Sequence, residues 1–487
     1  MTTNNFLLFL YFTSLLGLII FGSHRYLLIY FYKKYKKMSP KTKPLTEPYP
    51  VVTVQLPIFN EMNVVGRLVE SIVELDYPKD KLEIQILDDS TDETQKIVKE
   101  LVEKFRKANF NIFYIHRTKR TGFKAGALQN ALKTAKGEFI AIFDADFIPQ
   151  PDFLKKLLPY FSTDNIGMVQ ARWEHTNRKY SLLTKVQAII LDGHFLIEHT
   201  ARNRSGRFFN FNGTSGIWRK KAIESSGGWQ GDTLTEDMDL SYRAQLNGWQ
   251  FVFVPDVVTP AELPVDVSAF KTQQGRWAKG TIQTAKKLIS KIVKSKTPLK
   301  VKIEAIFHLS SNFCYLFLSV ATLLILPATL VRLSSIHKHS YIFLVDIPIF
   351  LLGTLSIAYF YYISQKELGF GFWDSVKYIP FLMSTGIGLS INNSKYILEG
   401  IYGLESEFVR TPKYGITHKR TSINSKKYKS KKNLISYIEL LLAIYFTVLL
   451  YLTIRAQLYM LTPLILLFQF GFVYFSITSL LQTFKQK

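Results

Sequence analysis

An α/β domain with a mostly parallel sheet, set among apolar membrane helices, is the class this sequence predicts. Three observations carry it. Short apolar runs alternate with amphipathic ones from Val51 onward. Acidic residues close two of those runs, as Asp88-Asp89 and Asp144-Ala145-Asp146, where open α/β sheets bind ligands. Long apolar stretches stand near both ends of the 487 residues.

Composition narrows the function. Hydrophobic residues make up 47% and aromatics 14% of a chain with net charge +24. That pairing fits apolar spans flanked by basic loops, not a uniformly basic soluble protein. Lys33, Lys34, Lys36 and Lys37 follow the first apolar run, and eight cations without an acid fall from Lys413 to Lys432. Such clusters beside spans mark the cytoplasmic face and attract anionic lipid. No nucleic-acid recognition module is visible, so no nucleic-acid partner is expected. One cysteine, Cys314, excludes an intrachain disulfide and a cysteine metal site.

In chain order, Phe6–Phe31 is long enough to span a bilayer. The lysines after it put the N-terminus outside and the next domain in the cytoplasm, at the inner or plasma membrane. The basic start and small-residue cleavage site of a signal peptide are missing. Met38–Tyr49 reads as a linker. Strands are expected at Val51–Leu56, Glu83–Leu87, Asn111–Ile115 and Phe139–Phe143. Helices are expected at Val64–Leu75, Thr94–Lys107 and Lys124–Ala135. Beyond Pro151 the pattern predicts helices over Asp152–Phe161, Ser181–Thr200 and Glu236–Leu246, a loop over Asn210–Gly216 and a strand over Phe251–Val254. Ser268–Ile292 reads as an amphipathic helix on the membrane surface. Spans are expected at about 307–331, 341–363, 434–454 and 458–482. The segment 376–398 holds lysines, glycines and asparagines. Making it a span would put the basic loop outside, so it reads as interfacial or re-entrant. The expected division is 1–37 as a membrane helix, 38–300 as a cytoplasmic domain and 301–487 as a membrane region with an interfacial helix and loop at about 376–433.

Four motifs bear chemistry. Asp144 and Asp146 at a strand end can hold a hard divalent ion and, through it, a diphosphate. Asp88-Asp89-Ser90-Thr91-Asp92 offers a carboxylate to a nucleobase or ribose, and also the cap of a helix. Thr121–Gly126, with Lys124, suits a phosphate at a helix start. In Thr235-Glu236-Asp237, Asp237 offers a general base with Glu236 beside it; the bland alternative is an acidic first turn. In Gln273-Gln274-Gly275-Arg276-Trp277, the arginine and tryptophan suit a membrane anchor, or a diphosphate and a stacked sugar ring.

In this order, Asp88-Asp89, Asp144-x-Asp146, Thr235-Glu236-Asp237 and Gln273-x-x-Arg276-Trp277 resemble the family-2 glycosyltransferases of the cellulose-synthase superfamily. Gln170–Trp173 and Phe211-Asn212-Gly213-Thr214 are most similar to bacterial relatives of the plant mannan- and glucan-synthase-like enzymes. The resemblance runs from Val51 to Trp277. It extends to Phe408-Val409-Arg410-Thr411-Pro412-Lys413, which looks like a gating loop over the substrate pocket.

The resemblance implies a GT-A, Rossmann-like domain and an inverting transfer. Asp144 and Asp146 would bind Mg2+ or Mn2+. Asp88, Asp89, Lys124, Gln273 and Arg276 would hold the nucleotide and diphosphate. Asp237, with Glu236, would activate the acceptor, and Trp277, Asn212 and Gly213 would bind it. Phe408, Thr411, Pro412 and Lys413 would close the site. The product would be a β-1,4-type polysaccharide made processively from UDP-glucose or GDP-mannose, with room for accessory export proteins. A non-processive transferase that glycosylates a lipid shares the nucleotide half and is the alternative. A channel without chemistry leaves the acidic pairs unexplained.

Overall fold

The structure is a computed structural model describing residues 3–334, 351–405, 409–416 and 434–485. Helix α1 (Thr3–Tyr35) opens the chain. The first half of the domain alternates strand and helix: β1 (Val52–Ile58), α2 (Val65–Val73), β2 (Leu82–Asp88), α3 (Thr94–Lys107), β3 (Asn111–His116), α4 (Phe123–Leu132) and β4 (Phe139–Ile142). β1 pairs in parallel with both β2 and β4, and β2 with β3. These strands are apolar on both faces because helices cover both, as parallel sheets require. Their few polar residues are buried and pair across the sheet. Thr53 donates to Glu83 (2.5 Å) and Gln55 to Gln85 (3.0 Å).

The second half departs from the sequence reading. It continues with α5 (Phe153–Leu157), β5 (Ile166–His175), α6 (Leu182–Asp192), a π-helical segment at Gly193–His199, α7 (Thr200–Arg204), β6 (Gly216–Arg219), α8 (Lys220–Ser225), α9 (Glu236–Leu246) and β7 (Gln250–Ala261). β5 and β6 were not expected, and β6 runs antiparallel to both β4 and β5. The seven strands lie in the order β3-β2-β1-β4-β6-β5-β7. β6 is four residues long, too short for a periodic signal. β5 hides behind Gln170, a polar residue buried so that its amide can donate to the carbonyls of Thr214 and Ser215. The helix expected over Ser181–Thr200 is broken by the π segment, and that over Asp152–Phe161 shortens to α5 and a 3-10 turn.

Helix α10 (Val267–Lys294) leads to α11 (Leu299–Ser310), α12 (Cys314–Ser334), α13 (Ser356–Glu367), α14 (Phe372–Val376), α15 (Ile379–Gly388), α16 (Ser390–Tyr402), α17 (Ile435–Arg455) and α18 (Thr462–Lys485). Among the described residues four stretches are long and apolar enough to cross a membrane: Thr3–Tyr35, Leu299–Arg332, Ile435–Arg455 and Thr462–Thr483. The span expected at 341–363 lies partly outside the described residues; its described part is helical. The segment 376–398 forms α15 and α16, of 10 and 13 residues, neither reaching the roughly 20 needed to cross.

α10 is less one-sided than an amphipathic surface helix. Lys271 and Lys279 on it are buried, and each meets an acid from the membrane region: Glu439 of α17 (2.7 Å) and Glu399 of α16 (3.1 Å). Removing one partner of a buried pair costs ~3–5 kcal/mol, whereas replacing both by apolar groups costs little. Lys271→Met should therefore lower the thermal midpoint in detergent well below that of Lys271→Met/Glu439→Leu. Equal midpoints would show that the pair does not tie α10 to α17.

Candidate active site

The carboxyl ends of β1, β2 and β4 open on one cavity of about 230 Å³. The two acids after β2 part company there. Asp88 is fully buried, accepting from the Ser90 N–H (2.9 Å) and the Tyr114 hydroxyl (2.8 Å), and does not line the cavity. Asp89 lines it and accepts from Arg117 Nε (2.8 Å). Asp92 serves α3, accepting from the Thr94 N–H (2.9 Å). Arg120 was not foreseen. Its guanidinium lies over the Phe59 ring, 3.4 Å from the centroid, and both line the cavity. Burial pushes its pKa down to about 10.

After β4, Asp144 and Asp146 are each met by a lysine. Lys124, at the start of α4, donates to Asp144 (2.5 Å) and to the Gly213 carbonyl (2.9 Å). Lys413 donates to Asp146 (2.7 Å) and to the Glu262 carbonyl (2.6 Å). Gly213 has φ +81°, and a Cβ there would meet the Asp237 carboxylate at 3.0 Å and Lys124 at 3.3 Å. Only glycine suits both the left-handed backbone and the tight space between Asp237 and Lys124. Thr214, next in line, accepts from the Asp144 N–H (2.9 Å) and so couples this loop to the strand end.

Glu236 and Asp237 open α9. Burial, then the Glu236 charge, pushes the Asp237 carboxyl up to about 7 despite Lys124. Glu236 is also raised by burial, against the pull of Lys124. Gln273, Arg276 and Trp277 occupy i, i+3 and i+4 of α10, hence one face, and all line the cavity. α10 reaches the start of α9 closely: a Cβ on Gly280 would stand 2.8 Å from the Thr235 backbone nitrogen. Burial pushes Arg276 down to about 10, with Glu236 acting against it.

The segment 409–416 lies over this cavity. Arg276 donates to Thr411 Oγ1 (2.8 Å), and Pro412 follows. Arg410 grips Glu61, its Nε at 2.8 Å. The Glu262 carboxylate accepts from the N–H groups of Tyr414 (3.0 Å), Gly415 (2.8 Å) and Ile416 (3.2 Å). Burial, against Arg410, pushes Glu61 up to about 7. Phe408 lies outside the described residues. Glu61, Arg410 and Glu262 escaped the sequence reading. Arg410 sat within the motif quoted for the loop, but its partner is 349 residues away. Asn212, Gly213, Asp89, Lys124, Asp144, Asp146, Glu236, Asp237, Gln273, Arg276, Trp277, Thr411 and Lys413 thus share one cavity; of the described site residues, Asp88 and Pro412 do not line it.

Residues 49–280 match the family described as "Glycosyltransferase like family 2". The chain is 40% identical over 300 residues to glucomannan 4-beta-mannosyltransferase 1 of Oryza sativa subsp. japonica, covering 58% of this chain and 56% of that one. It is 45% identical over 253 residues to probable glucomannan 4-beta-mannosyltransferase 7 of the same plant, covering 51% and 43%. The chain spans about half the length of the curated relatives it matches. In fold it is similar to a mannosyltransferase of Pyrobaculum calidifontis solved in complex with GDP-Man and Mn2+, with TM-score 0.54, 20% identity, and coverage of 80% of this chain and 100% of that one. The domain has the GT-A fold that the motifs implied.

The raised carboxyl predicts a stability effect. A group whose folded pKa lies near 7, above the usual aspartate value, costs stability as pH rises through that window. Asp237→Asn removes that cost. It should raise the thermal midpoint more at pH 8 than at pH 5. An equal gain at both would show that Asp237 is not held at a raised pKa.

Proposed function

Because residues 49–280 match the family described as "Glycosyltransferase like family 2", we propose that the chain is an inverting hexosyltransferase building a β-1,4-type polysaccharide from a nucleotide sugar. It acts processively and passes the chain through its membrane helices. The names of relatives at 40% and 45% identity favour mannose, and so GDP-mannose over UDP-glucose. One observation carries the reading: Lys124, Gln273 and Arg276 line one cavity with the raised carboxyl of Asp237 and with Trp277.

The chemistry divides as follows. Asp237 takes the proton from the acceptor hydroxyl as its oxygen attacks the anomeric carbon. The bond from that carbon to the diphosphate oxygen breaks on the opposite face, and the configuration inverts. Glu236 keeps Asp237's proton affinity high. Arg276, Gln273 and Lys124 hold the leaving diphosphate, Asp89 lies on the nucleotide side, and Trp277 stacks the acceptor terminus beside Asn212 and Gly213. Thr411, Pro412 and Lys413, with Phe408, belong to the loop that closes over the donor.

A divalent cation fits Asp144 and Asp146. Both offer hard oxygen ligands from one turn, and diphosphate and water oxygens complete such a shell. Among the described residues no set of three or more acidic, histidine or cysteine side chains surrounds a metal position, so diphosphate and water oxygens would complete the shell. The ion, Mg2+ or Mn2+, would neutralise charge on the leaving diphosphate. Lys124 on Asp144 and Lys413 on Asp146 stand where the ion's positive charge would be. The lysines after the first span orient the domain to the cytoplasm, at the inner or plasma membrane. Residues 1–37, 38–300 and 301–487 then act as anchor, catalytic domain and channel.

Purified protein in lipid vesicles, with Mg2+ or Mn2+ and either labelled donor, should make ethanol-insoluble polymer from one of them. Label confined to the organic phase would instead identify a lipid acceptor. Asp237→Asn should lower transfer by roughly 10²–10⁴-fold with nucleotide affinity nearly intact. Transfer should rise with pH through about 7, where Asp237 loses its proton, and chelation should abolish it. Trp277→Ala should shorten the product; unchanged length would contradict acceptor stacking.

A further inference from the structure

Asn212 lines the cavity one residue from Gly213, and its side chain is held by two histidines the reaction does not use. Both lie on the π-helical segment Gly193–His199, whose wide winding brings residues five apart onto one face. The His194 and His199 rings stand edge to face, 4.4 Å apart.

One backbone carbonyl fixes every proton in the group. His199 Nε2 is 3.1 Å from the Asn210 carbonyl, which can only accept. That nitrogen therefore carries the hydrogen. The same N–H faces Asn212 Oδ1 at 2.6 Å, so the amide presents its oxygen there. Asn212 Nδ2 then points at His194 Nε2 (3.0 Å), which must be bare. The His194 proton sits on Nδ1, 3.0 Å from Glu198 Oε2. Among the described residues His199 Nδ1 has no hydrogen-bond partner. A proton moved there would be a buried, unanswered donor, which resists the other tautomer. Burial, above all, holds the His199 pKa well below its ordinary value. The footing is firm. Arg202 donates to Glu198 (3.1 Å) and to Glu304 of α11 (3.0 Å), and the other Glu304 oxygen meets His24 of α1 (3.0 Å). The Asn212 N–H is itself fixed on Gln170 Oε1 (3.1 Å).

We propose that His194 and His199 are positioning residues that lock the Asn212 amide in one of its two flip states. The acceptor sugar beside Asp237 then meets one amide N–H and one amide lone pair in a set order. That order matches two neighbouring hydroxyls, one accepting and one donating. A free amide would offer both orders and lose the discrimination. This rests on the acceptor role given to Asn212 above.

The test uses full-length protein in detergent. β-1,4-mannotetraose and β-1,4-cellotetraose are titrated separately against tryptophan fluorescence with GDP or UDP present; nucleotide affinity is measured by calorimetry. His194→Leu and His199→Leu should each weaken tetrasaccharide binding about tenfold, while His194→Gln and His199→Gln stay within about threefold. Glutamine can place an accepting oxygen at the His194 Nε2 position, or a donating N–H at that of His199. Nucleotide affinity should hold in all four, which also reports folding. Unchanged tetrasaccharide affinity in the leucine variants would overturn the clamp, as would equal losses in leucine and glutamine variants or a parallel loss of nucleotide binding. Wild-type protein that binds nucleotide but neither tetrasaccharide would overturn the acceptor reading itself, and the clamp with it.

Discussion

Buried negative charge is the constraint on which the rest of this structure depends. Glu61, Asp89, Asp144, Asp146, Glu236, Asp237 and Glu262 line one cavity of about 230 Å³. Arg120, Lys124, Arg276, Arg410 and Lys413 line it too, and Arg117 reaches Asp89 from behind. Burying charge without a partner is costly, so each acid must find a cation, an N–H or a proton. Lys124 answers Asp144, Lys413 answers Asp146, and three backbone N–H groups answer Glu262. The acids outnumber the cations, and the carboxyls of Asp237 and Glu61 are pushed up to about 7. The burial and the neighbouring Glu236 charge that make Asp237 expensive to ionise also suit it to the proposed role of a base near neutral pH.

The constraint also explains the segment 409–416. Two of its cations and three of its N–H groups meet acids of the domain, and Thr411 meets Arg276. Charged contacts hold it together with the fully buried Ile416 side chain. α10 plays the complementary part. It carries Gln273, Arg276 and Trp277 into the cavity and pairs Lys271 and Lys279 with acids of α17 and α16. The site is thereby registered against the apolar helices by interactions of the same kind.

Much of this was legible in the chain. Thr94–Lys107 and Glu236–Leu246 have the helix bounds their patterns predict, and the acids after Phe139–Ile142 stand at a strand end. Local periodicity and capping chemistry set those features. What escaped was set by distance along the chain. Glu61 meets Arg410 across 349 residues, and Glu262 meets the 414–416 backbone across more than 150. Gln170 looked like part of a motif but is the buried bracket of the Asn212 loop. The π winding of Gly193–His199 leaves no periodic trace, because the segment is only seven residues long and mixes His194, Glu198 and His199 with apolar residues. Asp88 shows the reverse: an acid that read as a ligand is consumed by Ser90 and Tyr114.

In the proposed mechanism a single base, Asp237, faces one donor pocket, which commits the chemistry to one displacement. Proton NMR of the first linkage formed from an α-linked nucleotide sugar, read at the new anomeric centre, tests that commitment most directly. The account predicts a β linkage. An α linkage would require a second displacement or another nucleophile, and would contradict Asp237 as the sole base of an inverting transfer.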